Sequence, residues 1–139
     1  MEKSTLKEMY GYDYVGAEDI EAPLQCWYND VLEKTEDELT VGDIGRMLRQ
    51  RIFSKVAIRR AIEILSSDPF AGEMFEGQLM YNLYNAKPKY LCQFYKEAGE
   101  MLRKAEKALL THEWESEESK NEYLDIFTSF LNKIKEENI

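Results

Sequence analysis

The sequence has 139 residues and a mass of 16.4 kDa, enough for one compact domain and too little for two cores of useful size. With 44% hydrophobic and 12% aromatic residues, it can fold without metal or disulfide support, which excludes a disordered or staple-dependent class. A formal charge of −9 disfavours nucleic acid as a general partner, and only 3 Pro and 7 Gly argue for helices over a turn-rich sandwich or barrel.

Residues 19 to 34 place Ile20, Leu24, Trp27, Tyr28 and Val31 at helical spacing, with Glu21, Gln25, Asp30 and Glu33 elsewhere on the wheel. Pro23 either begins or interrupts this helix, since proline is tolerated only in a first turn. Thr40-Val41-Gly42-Asp43 supplies a hydroxyl cap and a carboxylate three residues on, a capping box with Asp in place of Glu, so a helix starts there. Val41, Ile44, Met47 and Leu48 are its apolar positions; it ends near Arg51, and Ser54 opens another helix carrying Ile58, Ala61, Ile62 and Leu65.

Ser66-Ser67-Asp68-Pro69 stops that helix, because proline cannot donate and restricts the residue before it. Phe70 to Gly77 reads as a loop, Gln78 to Asn85 as a short helix, and Lys87-Pro88 as a turn. From Lys89 to Leu110 the set Leu91, Phe94, Tyr95, Ala98, Leu102, Ala105 and Leu109 predicts one long helix. After the acidic linker at residues 113 to 118, a final helix spans about Glu117 to Glu136, with Tyr123, Phe127, Phe130, Leu131 and Ile134 on one face. The expectation is an all-α fold: one domain over residues 1 to 139, with six or seven helices.

Single-copy residues exclude much chemistry. His112 is the only histidine, so triads and paired-histidine metal sites lack their central part, and its place after Leu109-Leu110 predicts a helix end where it caps carbonyls or faces solvent. Cys26 and Cys92 have no CxxC partner and sit among aromatics, the setting of buried free thiols. No phosphate loop, dinucleotide fingerprint, nucleophile elbow or EF-hand pattern occurs, and adjacent carboxylates such as Asp37 and Glu38 read as solvated rather than catalytic. No enzymatic activity, cofactor or metal is expected. Without a basic-then-apolar leader or an apolar run of spanning length, neither export nor a membrane partner is expected, and the reading is cytoplasmic.

The charge is uneven. Residues 13 to 45 hold ten acids, namely Asp13, Glu18, Asp19, Glu21, Asp30, Glu33, Glu36, Asp37, Glu38 and Asp43, against Lys34 alone, while the rest of the chain holds seventeen of each sign. Such a field steers cationic proteins and repels nucleic acid, accelerating association by roughly 10- to 1,000-fold. The plainer reading is that Glu33 to Glu38 is a solvated loop and that Asp19 and Asp43 serve helix amino termini. A basic run follows, Arg46, Arg49, Arg51, Lys55, Arg59 and Arg60, without an acid between residues 46 and 62. Internal pairing with the acidic segment is its expected use; the alternative is phosphate contact by a nucleic-acid-binding regulator.

At residues 39 to 50 the chain reads LTVGDIGRMLRQ, and at 61 to 80 AIEILSSDPFAGEMFEGQLM. Leu39, Thr40, Asp43, Ile44, Leu48, Gln50, Ala61, Ile62, Leu65, Asp68, Pro69, Phe75, Gly77 and Leu79 resemble the pattern of immunity proteins from bacterial contact-dependent growth inhibition systems, over about residues 35 to 84 and more loosely over the Trp27-Tyr28 helix before them. It departs from the pattern at Gln78, where Asp is common, and in the more polar helix entry Phe53-Ser54-Lys55-Val56. The resemblance implies a cytoplasmic protein that binds the toxic C-terminal domain of a cognate effector and occludes its active site. A basic nuclease is the expected toxin, and Asp13, Glu18, Asp19, Asp30, Glu33, Glu36, Asp37 and Glu38 are the expected toxin-binding carboxylates, replacing phosphates in its cleft. Tyr12, Tyr14, Trp27 and Tyr28 are candidate aromatic anchors, the last two also candidate core.

Overall fold

The computed structural model describes residues 4–11 and 23–137. Among them the secondary structure is helical, with a single isolated bridge between Thr5 and Thr35 and no strand. The helices are α1 (Leu6–Tyr10), α2 (Pro23–Leu32), α3 (Val41–Gln50), α4 (Ser54–Ser67), α5 (Gln78–Tyr84), α6 (Pro88–Leu91), α7 (Tyr95–Leu109) and α8 (Glu117–Glu137). The expected all-α fold is the observed one.

The start of α3 follows the predicted capping chemistry. Asp43 N donates to Thr40 Oγ1 at 3.0 Å and Thr40 N donates to Asp43 Oδ2 at 3.1 Å, so two amino-terminal donors are satisfied reciprocally. At the other end the chain stops in a Schellman arrangement: Arg51 N reaches Leu48 O and Ile52 N reaches Met47 O at 3.1 Å. Arg51 occupies the left-handed position normally given to glycine, with φ 57°, and Phe53 is also left-handed at φ 50°. This turn lets α4 fold back against α3.

α4 is the central element. Val56, Ala57, Ile58, Ala61, Ile62 and Leu65 are all buried, and α4 packs on α3, α5, α6 and α7 while α8 closes over α5 and α7. Gly45 permits the close approach of α3 and α5, since a Cβ there would lie 3.1 Å from the Asn82 amide. Phe130 of α8, with no exposed surface, packs its ring at a tilt against Tyr84 of α5.

Three expectations are corrected. The predicted helix from Lys89 to Leu110 is divided into α6, a 3₁₀ turn at Cys92–Phe94, and α7. Cys92 Sγ and Gln93 Nε2 both donate to Lys89 O, at 3.4 and 3.2 Å, so side chains occupy a carbonyl the helix ladder would otherwise use, and Phe94 leaves helical geometry at φ −115°, ψ 15°. Apolar periodicity survives such a break because Leu91, Tyr95 and Ala98 still face inward. Second, Cys26 and Cys92 are exposed rather than buried, and neither forms a disulfide; the helices turn their aromatic neighbours inward instead. Third, α1 was not expected. It is only five residues long, but Thr5 and Glu8 form a complete capping box, Leu6 is fully buried, and Leu6 N donates to Lys34 O at 2.9 Å.

Candidate functional site

The described part of the acidic segment is organised around α2 and the first turn of α3. Asp30 and Glu33 are exposed at the carboxyl end of α2, and neither pairs with a cation among the described residues. Glu36, Asp37 and Glu38 form a 3₁₀ turn. Glu38 Oε1 accepts from Thr35 N at 2.9 Å, which holds the turn, and Glu36 pairs with Arg59 of α4. A recess of about 380 Å³ lies beside Glu36 and Asp37, bordered by Ser4 and by Met9, which is exposed. The structure thus brings Glu36, Asp37 and Glu38 together and sets Asp30 in the last turn of α2 and Glu33 just after it, on the way to them. Asp13, Glu18 and Asp19, with Tyr12 and Tyr14, lie outside the described residues.

Asp43 belongs to this segment in sequence but is structural. It is buried and accepts from Trp27 Nε1 at 2.9 Å and Lys34 Nζ at 2.6 Å. Burial pushes its pKa up, but the bonds from Lys34, the Thr40 amide and Trp27, with the Lys34 charge, prevail and hold it below the ordinary carboxylate value. Trp27 is half-buried on the core, with the Arg46 guanidinium 4.9 Å from its ring centre. Its indole is a fastening for α2 more than a free anchor.

The basic run divides by use. Arg59 meets the acidic turn, Arg60 pairs with Glu63 in its own helix, and Arg46 covers Trp27. Arg51 and Lys55, with Lys87, line a cleft of about 490 Å³ beside Tyr28 and Tyr90, and pair with no carboxylate among the described residues. Internal pairing therefore accounts for part of the run.

Sequence reasoning missed the ordering of the loop from Phe70 to Gly77. His112 neither caps a helix nor faces water: its ring stacks on Phe70 at 3.6 Å, meets Trp114 edge-on at 4.5 Å, and its Nε2 lies 2.9 Å from Glu76 Oε2. Tyr123 Oη donates to Pro69 O at 2.8 Å, and burial, then the Asp68 charge, push the phenol pKa upward. Trp114, assigned to a linker, packs in the same cluster. These partners lie 36 to 54 residues apart in sequence, so no local pattern announces them.

Among the described residues no group of histidine, cysteine and carboxylate side chains is placed to hold a metal ion, and no helix is long and apolar enough to cross a membrane. The geometry is that of a helical domain with a carboxylate-bearing 3₁₀ turn leading into α3. Residues 8–101 match the family model of CDI immunity proteins, and the chain belongs to that family of contact-dependent growth inhibition immunity proteins. The match extends beyond the stretch that carried the resemblance in sequence, taking in the end of α1, the whole of α2 and α6, and the first half of α7. No curated protein sequence matches the chain. Membership makes a toxin the partner class of this protein.

Proposed function

We propose that the protein neutralises the C-terminal toxin domain of a cognate effector in the cytoplasm of the producing cell, by seating its acidic surface in a cationic cleft and occluding the active site. A nuclease is the toxin class that such a surface suits, because carboxylates can take the positions of substrate phosphates. The protein performs no chemistry in this reading. Asp30, Glu33, Glu36, Asp37 and Glu38 form the described part of the surface, and Asp13, Glu18 and Asp19 are assigned to it from the sequence.

The observation carrying this reading is the position of Asp30 and Glu33. They stand at the carboxyl end of α2, where the helix dipole disfavours negative charge, without an ion pair among the described residues, Lys34 beside them being taken by Asp43. Helix stability gives no reason for them there, whereas a basic partner does. Glu36 and Glu38, by contrast, have internal work through Arg59 and Thr35.

The test is association kinetics with the toxin domain of the effector encoded immediately upstream. Asp30→Lys, Glu33→Lys and Asp37→Lys together should slow association about tenfold or more at low salt and flatten its salt dependence. Unchanged association at low salt refutes the acidic site. A second reading, a nucleic-acid-binding regulator, draws on the cleft at Arg51, Lys55 and Lys87. Gel-shift binding of duplex DNA, lost in Arg51→Ala with Lys55→Ala, would replace the first reading with that one.

A further inference from the structure

Met74 and Phe75 are among the most exposed large apolar side chains of the described residues, at 76% and 51% exposure. Exposure of this kind on a floppy loop has no special meaning, but this turn is built to hold its shape. Gln78 Oε1 accepts from both Glu73 N and Met74 N, at 3.0 and 2.8 Å, and Gln78 N donates to Phe75 O at 3.2 Å. Gly72 has to be glycine, because a Cβ there would run into Phe75 O. Behind the turn, Glu76 is held by His112, and Tyr123 Oη secures Pro69. Order is therefore spent on presenting two apolar side chains to solvent, where they contribute nothing to the core.

The turn also meets the first turn of α3, the helix that the acidic Glu36–Glu38 turn leads into. The Glu73 carboxylate lies directly on Gly42, in the first turn of α3, where a Cβ would overlap it. Glu38 precedes Gly42 by four residues, so Glu73 joins the Glu36–Glu38 turn around the amino terminus of α3. Pre-ordered apolar side chains rimmed by carboxylates are the anatomy of a protein interface: the anchors supply affinity and slow dissociation, and the rim supplies speed and selection of a basic partner.

We infer that Met74 and Phe75 are the apolar anchors of the toxin interface, inserting into the basic face of the toxin domain that the Glu36–Glu38 and Glu73 carboxylates meet. This inference rests on the toxin-binding reading above for its partner. The experiment compares, on the full chain, Met74→Ser with Phe75→Ser against the Asp30, Glu33 and Asp37 reversals, measuring association and dissociation rates with the upstream-encoded toxin domain. Both sets lie on exposed positions, and unchanged thermal melting verifies the fold of each.

The anchor variant should dissociate about tenfold or more faster with association nearly unchanged, while the reversal variant shows the opposite split. Unchanged dissociation of the anchor variant, with slowed association of the reversal variant, overturns the anchors and leaves the acidic site standing. Faster dissociation of the anchor variant with an unaffected reversal variant upholds the anchors and overturns the acidic site. If neither variant differs from the parent chain, both are overturned.

Discussion

The Trp27 indole donates its N–H to Asp43 Oδ1 at 2.9 Å, so a single buried carboxylate fastens α2 to the first turn of α3. Asp43 also closes the Thr40 capping box and accepts from Lys34. Three separate groups lose their partner if it is removed. Asp43→Ala should lower stability by about 2–3 kcal/mol, the sum of a lost cap and of polar groups left unpaired.

The same carboxylate sets an acid limit. Its folded pKa lies below the ordinary 3.8, so its contribution is complete above that value and is lost as pH falls through the lower folded value. Denaturant midpoints at pH 3 and pH 7 should differ more in the parent chain than in Asp43→Ala. Equal differences would contradict the assignment.

Arg51 holds the left-handed position of the α3 Schellman turn without being glycine. Arg51→Gly should raise stability by about 0.5–1 kcal/mol, because relief of the Cβ clash exceeds the added chain entropy. Thermal melting is sufficient to see it. A loss of stability would mean that the arginine side chain makes contacts that matter more than the strain.

Gly77 has φ +84°, and a Cβ there would stand 2.6 Å from the Tyr123 ring. Gly77→Ala combines backbone strain with a clash against a buried aromatic and should cost about 2–4 kcal/mol. Tyr123→Phe removes only the bond to Pro69 O and should cost about 1–2 kcal/mol. Reversal of that order in denaturant unfolding would show that the phenol, not the glycine, is the stronger constraint on the loop.

Gly42→Ala addresses the contact with Glu73. The overlapping atoms are the far end of a flexible side chain, so the carboxylate moves aside and the helix gains up to about 1 kcal/mol of propensity. The gain should be larger in a Glu73→Ala background. A melting temperature that falls in both backgrounds would place the obstruction elsewhere than at Glu73.

Both thiols are exposed, so native protein should react with a thiol reagent at two sites without denaturant, and reductant should leave its melting temperature unchanged. Labelling at fewer than two sites would return one cysteine to the interior.

The elements most legible in sequence were those whose signals are local. Thr40 and Asp43 announce the start of α3, Pro69 ends α4, and the apolar faces of α3, α4 and α5 are the faces that are buried. α1 escaped notice because five residues carry too little periodicity, even with the Thr5 cap. The break at Cys92–Phe94 was invisible for a different reason: side-chain donors to Lys89 O compete with the backbone without disturbing the apolar spacing. The acidic surface was visible as composition, but its division into structural carboxylates, such as Asp43, and solvent-facing ones, such as Asp30, depends on where Trp27 and Lys34 arrive. Phe75 beside Gly77 looks like any turn aromatic in sequence, and only the surrounding bonds show which way it faces.

The clamp on the Phe70–Gly77 loop has an implication for biosynthesis. Its fasteners, His112 and Tyr123, are translated well after the loop they hold, and Tyr123 is usable only once the 21-residue α8 has left the ribosome and docked. A nascent chain can build the α3 and α4 pair early through short-range contacts, yet its Met74 and Phe75 turn matures only with the late helix. A ribosome stalled before residue 117 would thus carry the α3 and α4 pair with an unfinished loop.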